Sequence, residues 1–168
     1  MEFEKVIKTR TATRSFKDTP VQDEIINKIL EIGNLAPTAK NIQPQRIYVI
    51  KSKEGLEKID KASPCRYNAP IVLLICSDKE KAFSKDNHST YEMDACIVAT
   101  HIMLAATNEG VDNIWIEIFD KEIIKKEFNL NNNIEPICLI PIGYKKDDYK
   151  GNPMHNIRKS LDEYVSYL

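Results

Sequence analysis

The first part of the chain shows apolar residues at the spacing of amphipathic helices. Positions 3, 6 and 7 are apolar, which predicts a short helix near residues 3–9. A wider apolar stripe predicts a second helix, with Thr19 as its N-cap, Pro20 at its first helical position and Gly33-Asn34 as its C-terminal cap. A proline-bounded loop of small and amide side chains, residues 35–45, follows the two helices.

Strands and helices alternate after this loop. A strand near residues 46–51 precedes a short helix at 53–62 and a strand that is apolar on both faces at 71–76, as in the centre of a sheet. The remaining pattern predicts a polar loop at residues 78–88, a long helix at 89–108 and a strand with the only tryptophan at 111–119. A helix capped by Asp120 at 120–128 and a last strand at 136–144 follow. This alternation predicts one domain in which helices sandwich a sheet.

The long helix near residues 89–108 is apolar almost all round, which is typical of a helix buried in a core or an oligomer interface. A polar stripe interrupts it at Thr90, Asp94, His101 and Asn108. Asp94 and His101 are about two turns apart, too far for a direct hydrogen bond along one helix. We therefore favour a polar seam whose hydrogen bonds are completed across an interface over an acid–base pair.

Composition narrows the possible partners. The net charge is −1 and 42% of residues are hydrophobic, so no bulk field recruits nucleic acid or an anionic membrane. The longest apolar run, residues 70–76, is too short to span a bilayer, and residues 1–5 lack the pattern of a signal peptide, so we expect a cytoplasmic protein. The cysteines are scattered without C-x-x-C and no spacing fits zinc, so we expect buried free thiols and no metal.

Three arginines offer the best lead to function, since the sequence contains no G-x-G-x-x-G, G-x-x-x-x-G-K or G-x-S-x-G motif. Arg10 and Arg14 project to the same side in a helix or in an extended segment, and guanidinium groups suit phosphate and carboxylate oxygens. Arg158 follows a turn that could fold the tail back over a site. Taken alone, each of these arginines is more often a solvated charge.

Four segments together resemble the nitroreductase family of FMN-dependent oxidoreductases. They are RTATRSF at 10–16, APTAKNIQP at 36–44, GVDNIWI at 110–116 and PIGY at 141–144, the last followed by Arg158. The second is the most distinctive, because this order of proline, small, asparagine and glutamine residues is not that of a generic loop. The resemblance implies an α+β fold with a central, mostly antiparallel sheet flanked by helices. It also implies one domain over residues 1–168 that forms an intertwined homodimer with FMN at the interface, with a tail near residues 150–168 packing over the dimer.

The resemblance also implies roles for individual residues. The FMN phosphate would be bound by Arg10, with Thr11 and Ala12 beside it, and by Arg158. Arg14 would reach the flavin pyrimidine edge, where a cation stabilises the reduced flavin. The partner subunit would contact the flavin ring and ribityl chain through Pro37, Thr38, Ala39 and Asn41. Backbone groups of Glu117 and Ile118, which follow the Trp-Ile pair, would face flavin N5. No side chain is assigned as catalytic, because flavin N5 carries the hydride.

The chain departs from the family pattern at several positions. Ala12 stands where serine is usual, and Asn156 stands where a lysine often precedes the phosphate arginine. Glu117 and Ile118 stand where glycine is more usual. The resemblance implies that an isoleucine side chain there would either narrow access to the flavin or alter the backbone amide near flavin N5. The stretch between residues 79 and 89 is short, so we expect a rather open site.

The leading hypothesis is an enzyme that passes hydride from NAD(P)H through FMN to a nitroaromatic, quinone or related small aromatic acceptor by a ping-pong mechanism. Two alternatives stay open at this point. One is a non-catalytic FMN-binding or storage protein. The other is a non-flavin dimeric interaction module whose arginines bind a different phosphate-bearing partner. No motif distinguishes NADH from NADPH.

Overall fold

The computed structural model describes residues 2–168, and Met1, which the predicted domain includes, lies outside them. Within these residues the α-helices are α1 (Phe3–Thr9), α2 (Asp23–Gly33), α3 (Lys53–Ala62), α4 (Tyr91–Asn108) and α5 (Lys121–Glu127). Helices α1 and α3 confirm the predicted bounds. The predicted cap of α5 is also confirmed, because the Asp120 carboxylate accepts hydrogen bonds from the N–H groups of Glu122 and Ile123.

A four-stranded antiparallel sheet lies at the centre of the fold, which confirms the predicted α+β class. The strands are β1 (Gln45–Ile50), β2 (Ile71–Asp78), β3 (Ser84–Lys85), β4 (His88–Ser89), β5 (Asp112–Asn113) and β6 (Ile134–Gly143). The sheet has the order β1-β2-β6-β5, while β3 and β4 form a separate hairpin. Every residue of the central strand β2 is buried, as its unbroken apolar run predicts.

Helices cover both faces of the sheet, which confirms the predicted sandwich. One core forms between the sheet and helices α2 and α4, and it includes Ile29, Leu73 and Ile102. The other forms against α3 and α5, and it includes Leu74 and Ile124. Leu73 and Leu74 serve different cores because successive residues of a strand point to opposite faces.

The predicted start of α2 at Thr19 and Pro20 is wrong. The helix begins at Asp23, with Gln22 in an extended conformation as its N-cap. The chain before it is held as an extension of the sheet, because the Lys17 N–H donates to the Tyr144 carbonyl at 2.7 Å. The helix therefore begins only after this extended segment has delivered Val21, which is 5% exposed, into the core.

The predicted strand at residues 111–119 is wrong for most of its length, since only Asp112–Asn113 forms a regular strand. Ile114 donates its N–H to the Pro141 carbonyl, and Ile116 forms an isolated bridge with Leu139. Pro141 has no N–H to return, so the ladder breaks opposite it. The segment follows the edge of β6 but carries an incomplete set of hydrogen bonds.

The polar loop predicted at residues 78–88 contains a small hairpin. Asp86 and Asn87 connect β3 to β4 with φ angles of 51° and 64°. Two consecutive residues with positive φ are the requirement of the tight turn that matches the twist of paired strands. Among residues 2–168, no helix is long and apolar enough to cross a membrane.

Candidate active site

The segment after α1 is the backbone on which the site is built. It runs extended beside the sheet: Ala12 bridges Asn113, and the Thr13 N–H donates to the Asn113 carbonyl at 3.1 Å. Phe16, which is 1% exposed, anchors the far end in the core. In an extended segment, residues an even number apart share a side, so this backbone turns Arg10 and Arg14 in the same direction.

The two arginines and the C-terminal tail form a cleft of about 260 Å³. Its lining residues are Arg10, Thr11, Ala12, Arg14, Asn152, Met154, His155 and Arg158. The tail is fastened here because the Tyr149 hydroxyl donates to the Ala12 carbonyl at 2.8 Å. The Asn152 side chain accepts from the Met154 N–H at 2.9 Å and caps the short turn Pro153–Asn156. The structure thus brings Arg158 to Arg10, across nearly the whole length of the chain.

The cleft carries positive charge that the described residues do not neutralise. Burial lowers the pKa of Arg10, and the nearby charge of Arg158 lowers it further. None of the ion pairs among residues 2–168 includes an arginine of the cleft, and the Arg158 guanidinium donates only to the Ile157 carbonyl, at 2.7 Å. Like charges held together without a carboxylate are stabilised by an anion that binds between them.

Arg14 lies beside a second group of polar side chains. Burial raises the pKa of Tyr67, Cys65 raises it further, and Arg14 acts in the opposite direction through a hydrogen bond and its charge. Tyr67 and Asn68 both have positive φ, 55° and 60°. The Tyr67 carbonyl accepts from the Phe16 N–H at 3.4 Å. This turn therefore holds a phenol and a thiol next to the arginine that faces the cleft.

Glu117 and Ile118 form a turn whose two N–H groups donate no hydrogen bond to any of residues 2–168. The Glu117 side chain accepts from the Trp115 indole N–H at 3.0 Å. The buried Ser63 hydroxyl donates to the Ile118 carbonyl at 2.6 Å. These two bonds fix the turn while leaving its N–H groups without a partner in residues 2–168. Ile118 is 74% exposed.

The loop between Pro37 and Pro44 has an unusual backbone. Lys40, Asn41 and Gln43 have φ angles of 51°, 54° and 55°, a region that residues other than glycine rarely adopt. The Gln43 N–H donates to the Thr38 hydroxyl at 3.0 Å, and the Gln43 amide donates to the Asn41 carbonyl at 3.1 Å. Within residues 2–168, no hydrogen bond joins this loop to the three arginines, and no residue of the loop lines the arginine cleft.

The sequence profile of the nitroreductase family matches residues 7–66 and 62–144, which together cover most of the chain. The chain belongs to the nitroreductase family.

Solved structures of this family share its fold. A nitroreductase family protein from Clostridium difficile 630 is 38% identical, with a TM-score of 0.92, and the match covers 99% of this chain and 98% of that one. A protein from Exiguobacterium sibiricum, which carries the provisional name nitroreductase, was crystallised in complex with FMN. It is 20% identical, with a TM-score of 0.87 and coverage of 100% and 98%. The second likeness concerns the fold alone.

Among curated proteins, a relative from Archaeoglobus fulgidus carries the provisional name NADH dehydrogenase/NAD(P)H nitroreductase. It is 29% identical over 151 residues, which is 86% of this chain and 86% of that protein. Relatives of this nitroreductase therefore match it over most of their length.

The structure separates the predicted site of this nitroreductase into three parts. The predicted phosphate residues and Arg14 line one cleft; Glu117 and Ile118 lie on the turn before α5; and the loop that carries Pro37, Thr38, Ala39 and Asn41 lies elsewhere on the subunit. Sequence reasoning missed Tyr149, Asn152 and His155. They stand in the polar stretch before Arg158, where no periodic pattern indicates which side chains turn inward. Among residues 2–168, no cluster of three or more histidine, cysteine, aspartate or glutamate side chains could hold a metal ion.

Proposed function

We propose that this nitroreductase is an FMN-dependent oxidoreductase that uses NAD(P)H as its electron donor and reduces a nitroaromatic, quinone or related small aromatic acceptor. The observation that carries the proposal is the convergence of three arginines without a carboxylate partner on one cleft. FMN ends in a phosphate dianion and needs such a local cationic site on a chain whose net charge is only −1.

The side chains of the cleft fit the phosphate end of FMN. Arg10 and Arg158 provide two guanidinium groups. The negative charge of the phosphate would offset the two effects that lower the pKa of Arg10, which are its burial and, to a smaller extent, the charge of Arg158. Thr11 adds a hydroxyl to the lining. Ala12 provides none, but Asn152 and His155 line the same cleft and can offer polar groups in place of the serine that is usual there.

Two other features fit the ring of the flavin. Arg14 places a cation at the opposite end of the segment from Arg10, where it would stabilise negative charge on the pyrimidine edge. The open N–H groups of Glu117 and Ile118 are donors of the kind that flavin N5 accepts from. The Ser63 and Trp115 bonds pre-organise this turn, so these N–H groups need no rearrangement to donate.

A second copy of the chain would complete the site and cover exposed apolar surface. Helices α1 and α4 expose Phe3 (73%), Met93 (50%) and Ile97 (38%), more than a single solvated subunit explains. The tail also exposes a series of apolar side chains that have no cover in their own subunit: Met154, Ile157, Leu161, Tyr164, Tyr167 and Leu168. A homodimer in which this tail packs on the partner subunit would bury them.

The same homodimer explains the separated loop. The loop does not reach the arginine cleft of its own subunit. In the proposed homodimer it would instead line the cleft of the partner subunit, through Pro37, Thr38, Ala39 and Asn41. FMN would then lie between the subunits, with phosphate contacts from one chain and ring contacts from both.

The four cysteines are free thiols, as predicted, but only Cys76 and Cys138 are buried, whereas Cys65 and Cys96 are partly exposed. The cytoplasmic location remains a prediction from the sequence.

When bound, FMN would supply the redox chemistry of a ping-pong transfer of hydride from NAD(P)H to the acceptor. The protein contributes binding, orientation and electrostatic stabilisation. No protein acid or base is assigned a step, and the exposed Ile118 side chain would border the face on which donor and acceptor alternate.

An anaerobic titration followed by turnover tests this function. FMN-loaded protein should lose its oxidised-flavin absorbance on addition of NADH or NADPH and regain it on addition of a quinone. Steady-state rates should give the parallel double-reciprocal lines of a ping-pong mechanism. Bound FMN that neither nicotinamide reduces would refute the enzyme and favour flavin storage.

A further inference from the structure

Asp94 is a buried carboxylate to which the function above assigns no role. It lies in the first turns of α4 and is 3% exposed. One carboxylate oxygen accepts from the Ala39 N–H at 2.9 Å, and the other accepts from the Thr90 hydroxyl at 2.8 Å. The expectation that this polar stripe is completed across an interface is wrong for Asp94, because both partners belong to its own chain.

The bond to Ala39 enters the middle of the loop that is proposed to contact flavin. Ala39 immediately precedes Lys40 and Asn41, two residues with positive φ. A backbone in this region is strained for residues that carry a Cβ, so it persists only where surrounding contacts impose it. A hydrogen bond to a charged, buried acceptor is among the strongest contacts available to a backbone N–H.

The same carboxylate also connects the loop to the β3–β4 hairpin. The Thr90 N–H and hydroxyl both lie within hydrogen-bond distance of the Phe83 carbonyl, at 2.9 Å and 3.3 Å. The Lys40 ammonium lies 4.5 Å from the centre of the Phe83 ring, a cation–π contact. The contacts form a closed circuit from Ala39 through Asp94, Thr90 and Phe83 back to Lys40.

We propose that Asp94 is a positioning residue that holds the Pro37–Pro44 loop, together with the base of the β3–β4 hairpin, in the shape that contacts FMN in the partner subunit. The circuit is local to one subunit and needs no ligand to form. Its effect on FMN rests on the proposed function, whereas its effect on the loop does not.

Limited trypsin digestion of the flavin-free full-length protein tests the effect on the loop. Lys40 is exposed within the loop, so the rate of cleavage after Lys40 reports how often the loop opens. Asp94→Ala should accelerate this cleavage about tenfold or more, because the Ala39 N–H loses a charged acceptor. Asp94→Asn should stay close to the wild-type rate, since its amide oxygen can still accept from Ala39.

Two further variants keep the test decisive. Thr90→Val removes one partner of Asp94 without leaving a cavity the size of a carboxylate, and it should accelerate cleavage after Lys40 by a smaller factor. Ser52→Ala removes the N-cap of α3, whose hydroxyl accepts from the Gly55 N–H, and it should leave cleavage after Lys40 unchanged. If Asp94→Ala is cleaved after Lys40 at the wild-type rate, or if cleavage rises equally after Lys126 in α5, the proposal is overturned.

Equilibrium FMN titration then tests the functional part. Asp94→Ala should weaken FMN binding several-fold and Asp94→Asn should restore it, in the same order as the cleavage rates. If wild-type protein binds no FMN, the proposed function fails while the cleavage result still decides the role of Asp94. If Asp94→Ala opens the loop but binds FMN like the wild type, the loop does not contact the flavin and the functional part is overturned.

Discussion

Replacing Arg10 by alanine should weaken FMN binding without destabilising the flavin-free protein. Arg10 is half-buried, lies beside Arg158 and has no carboxylate partner among the described residues, so its removal breaks no ion pair. The Arg10 N–H still donates to the Val6 carbonyl at 2.9 Å, so the end of α1 is kept. The substitution therefore removes the repulsion between Arg10 and Arg158 from the flavin-free protein without removing an ion pair.

The size of the binding effect follows from the kind of bond that is lost. Hydrogen bonds to charged groups contribute about 1.5–3 kcal/mol, which corresponds to roughly 10- to 150-fold in the dissociation constant. The thermal midpoint of the flavin-free variant should stay within about 2 °C of wild type or rise, as expected for a change below about 0.5 kcal/mol. Affinity and stability should thus separate.

Fluorescence quenching of FMN and thermal unfolding of the same flavin-free samples measure the two quantities. Lys51→Ala is the matched control, because Lys51 pairs with Asp23 at 2.8 Å on a different cavity of the protein. It should leave FMN affinity unchanged. An Arg10→Ala protein that binds FMN within about twofold of wild type would refute the phosphate assignment. A loss of several degrees in its flavin-free midpoint would refute the argument from repulsion.

Three other predictions test the interface, the flavin face and the buried thiols. Ile97→Glu places a charge on the exposed face of α4 and should shift the protein from dimer to monomer in sedimentation velocity, whereas an unchanged dimer would move the interface elsewhere. Ile118→Gly should lower the KM for a bulky quinone more than for a small one at unchanged FMN affinity; equal KM values in both proteins would exclude Ile118 from the acceptor site. Burial raises the pKa of the Cys76 thiol from 9.0 to about 12, so the unfolded chain releases this proton first. The free energy of unfolding should therefore fall as pH rises through this window, by up to about 1.4 kcal/mol per pH unit from this group. Urea unfolding across the window measures this, and a Cys76→Ala variant with an equally steep fall would contradict the assignment.

Much of the fold can be predicted from the periodicity of apolar residues, because most helices and strands bury either one face or both faces. The unbroken apolar run of β2 and the stripe of α2 indicate their positions directly. Element ends were less predictable where distant contacts decide them. Thr19 and Pro20 have the local character of a helix start, but the bond between Lys17 and Tyr144 keeps the preceding segment extended. The gap in the hydrogen-bond ladder beside Ile114 arises because Pro141 lies opposite it. No local sequence pattern shows that these two residues are neighbours in the fold.

The candidate site was predictable only through the family resemblance. The spacing of Arg10 and Arg14 predicts that their side chains point to the same side. No feature of the sequence near Arg158 predicts that it lies beside them. That contact depends on the tail folding back, which the Tyr149 bond to Ala12 secures. The polar stripe of α4 illustrates the opposite case. The stripe was visible in the sequence, and it includes Thr90, one of the two partners of Asp94. The other partner is the backbone N–H of Ala39 in a distant loop, and a backbone N–H carries no sequence signal.

The most direct test of the central claim is an FMN titration of the purified flavin-free protein, with a parallel titration of the Arg10→Ala, Arg158→Ala double variant. We predict saturable binding at one FMN per chain for the wild type, with the flavin spectrum perturbed by the protein, and strongly weakened binding for the double variant. Wild-type protein that binds no FMN, or a double variant that binds it as tightly as the wild type, would contradict the assignment of the arginine cleft.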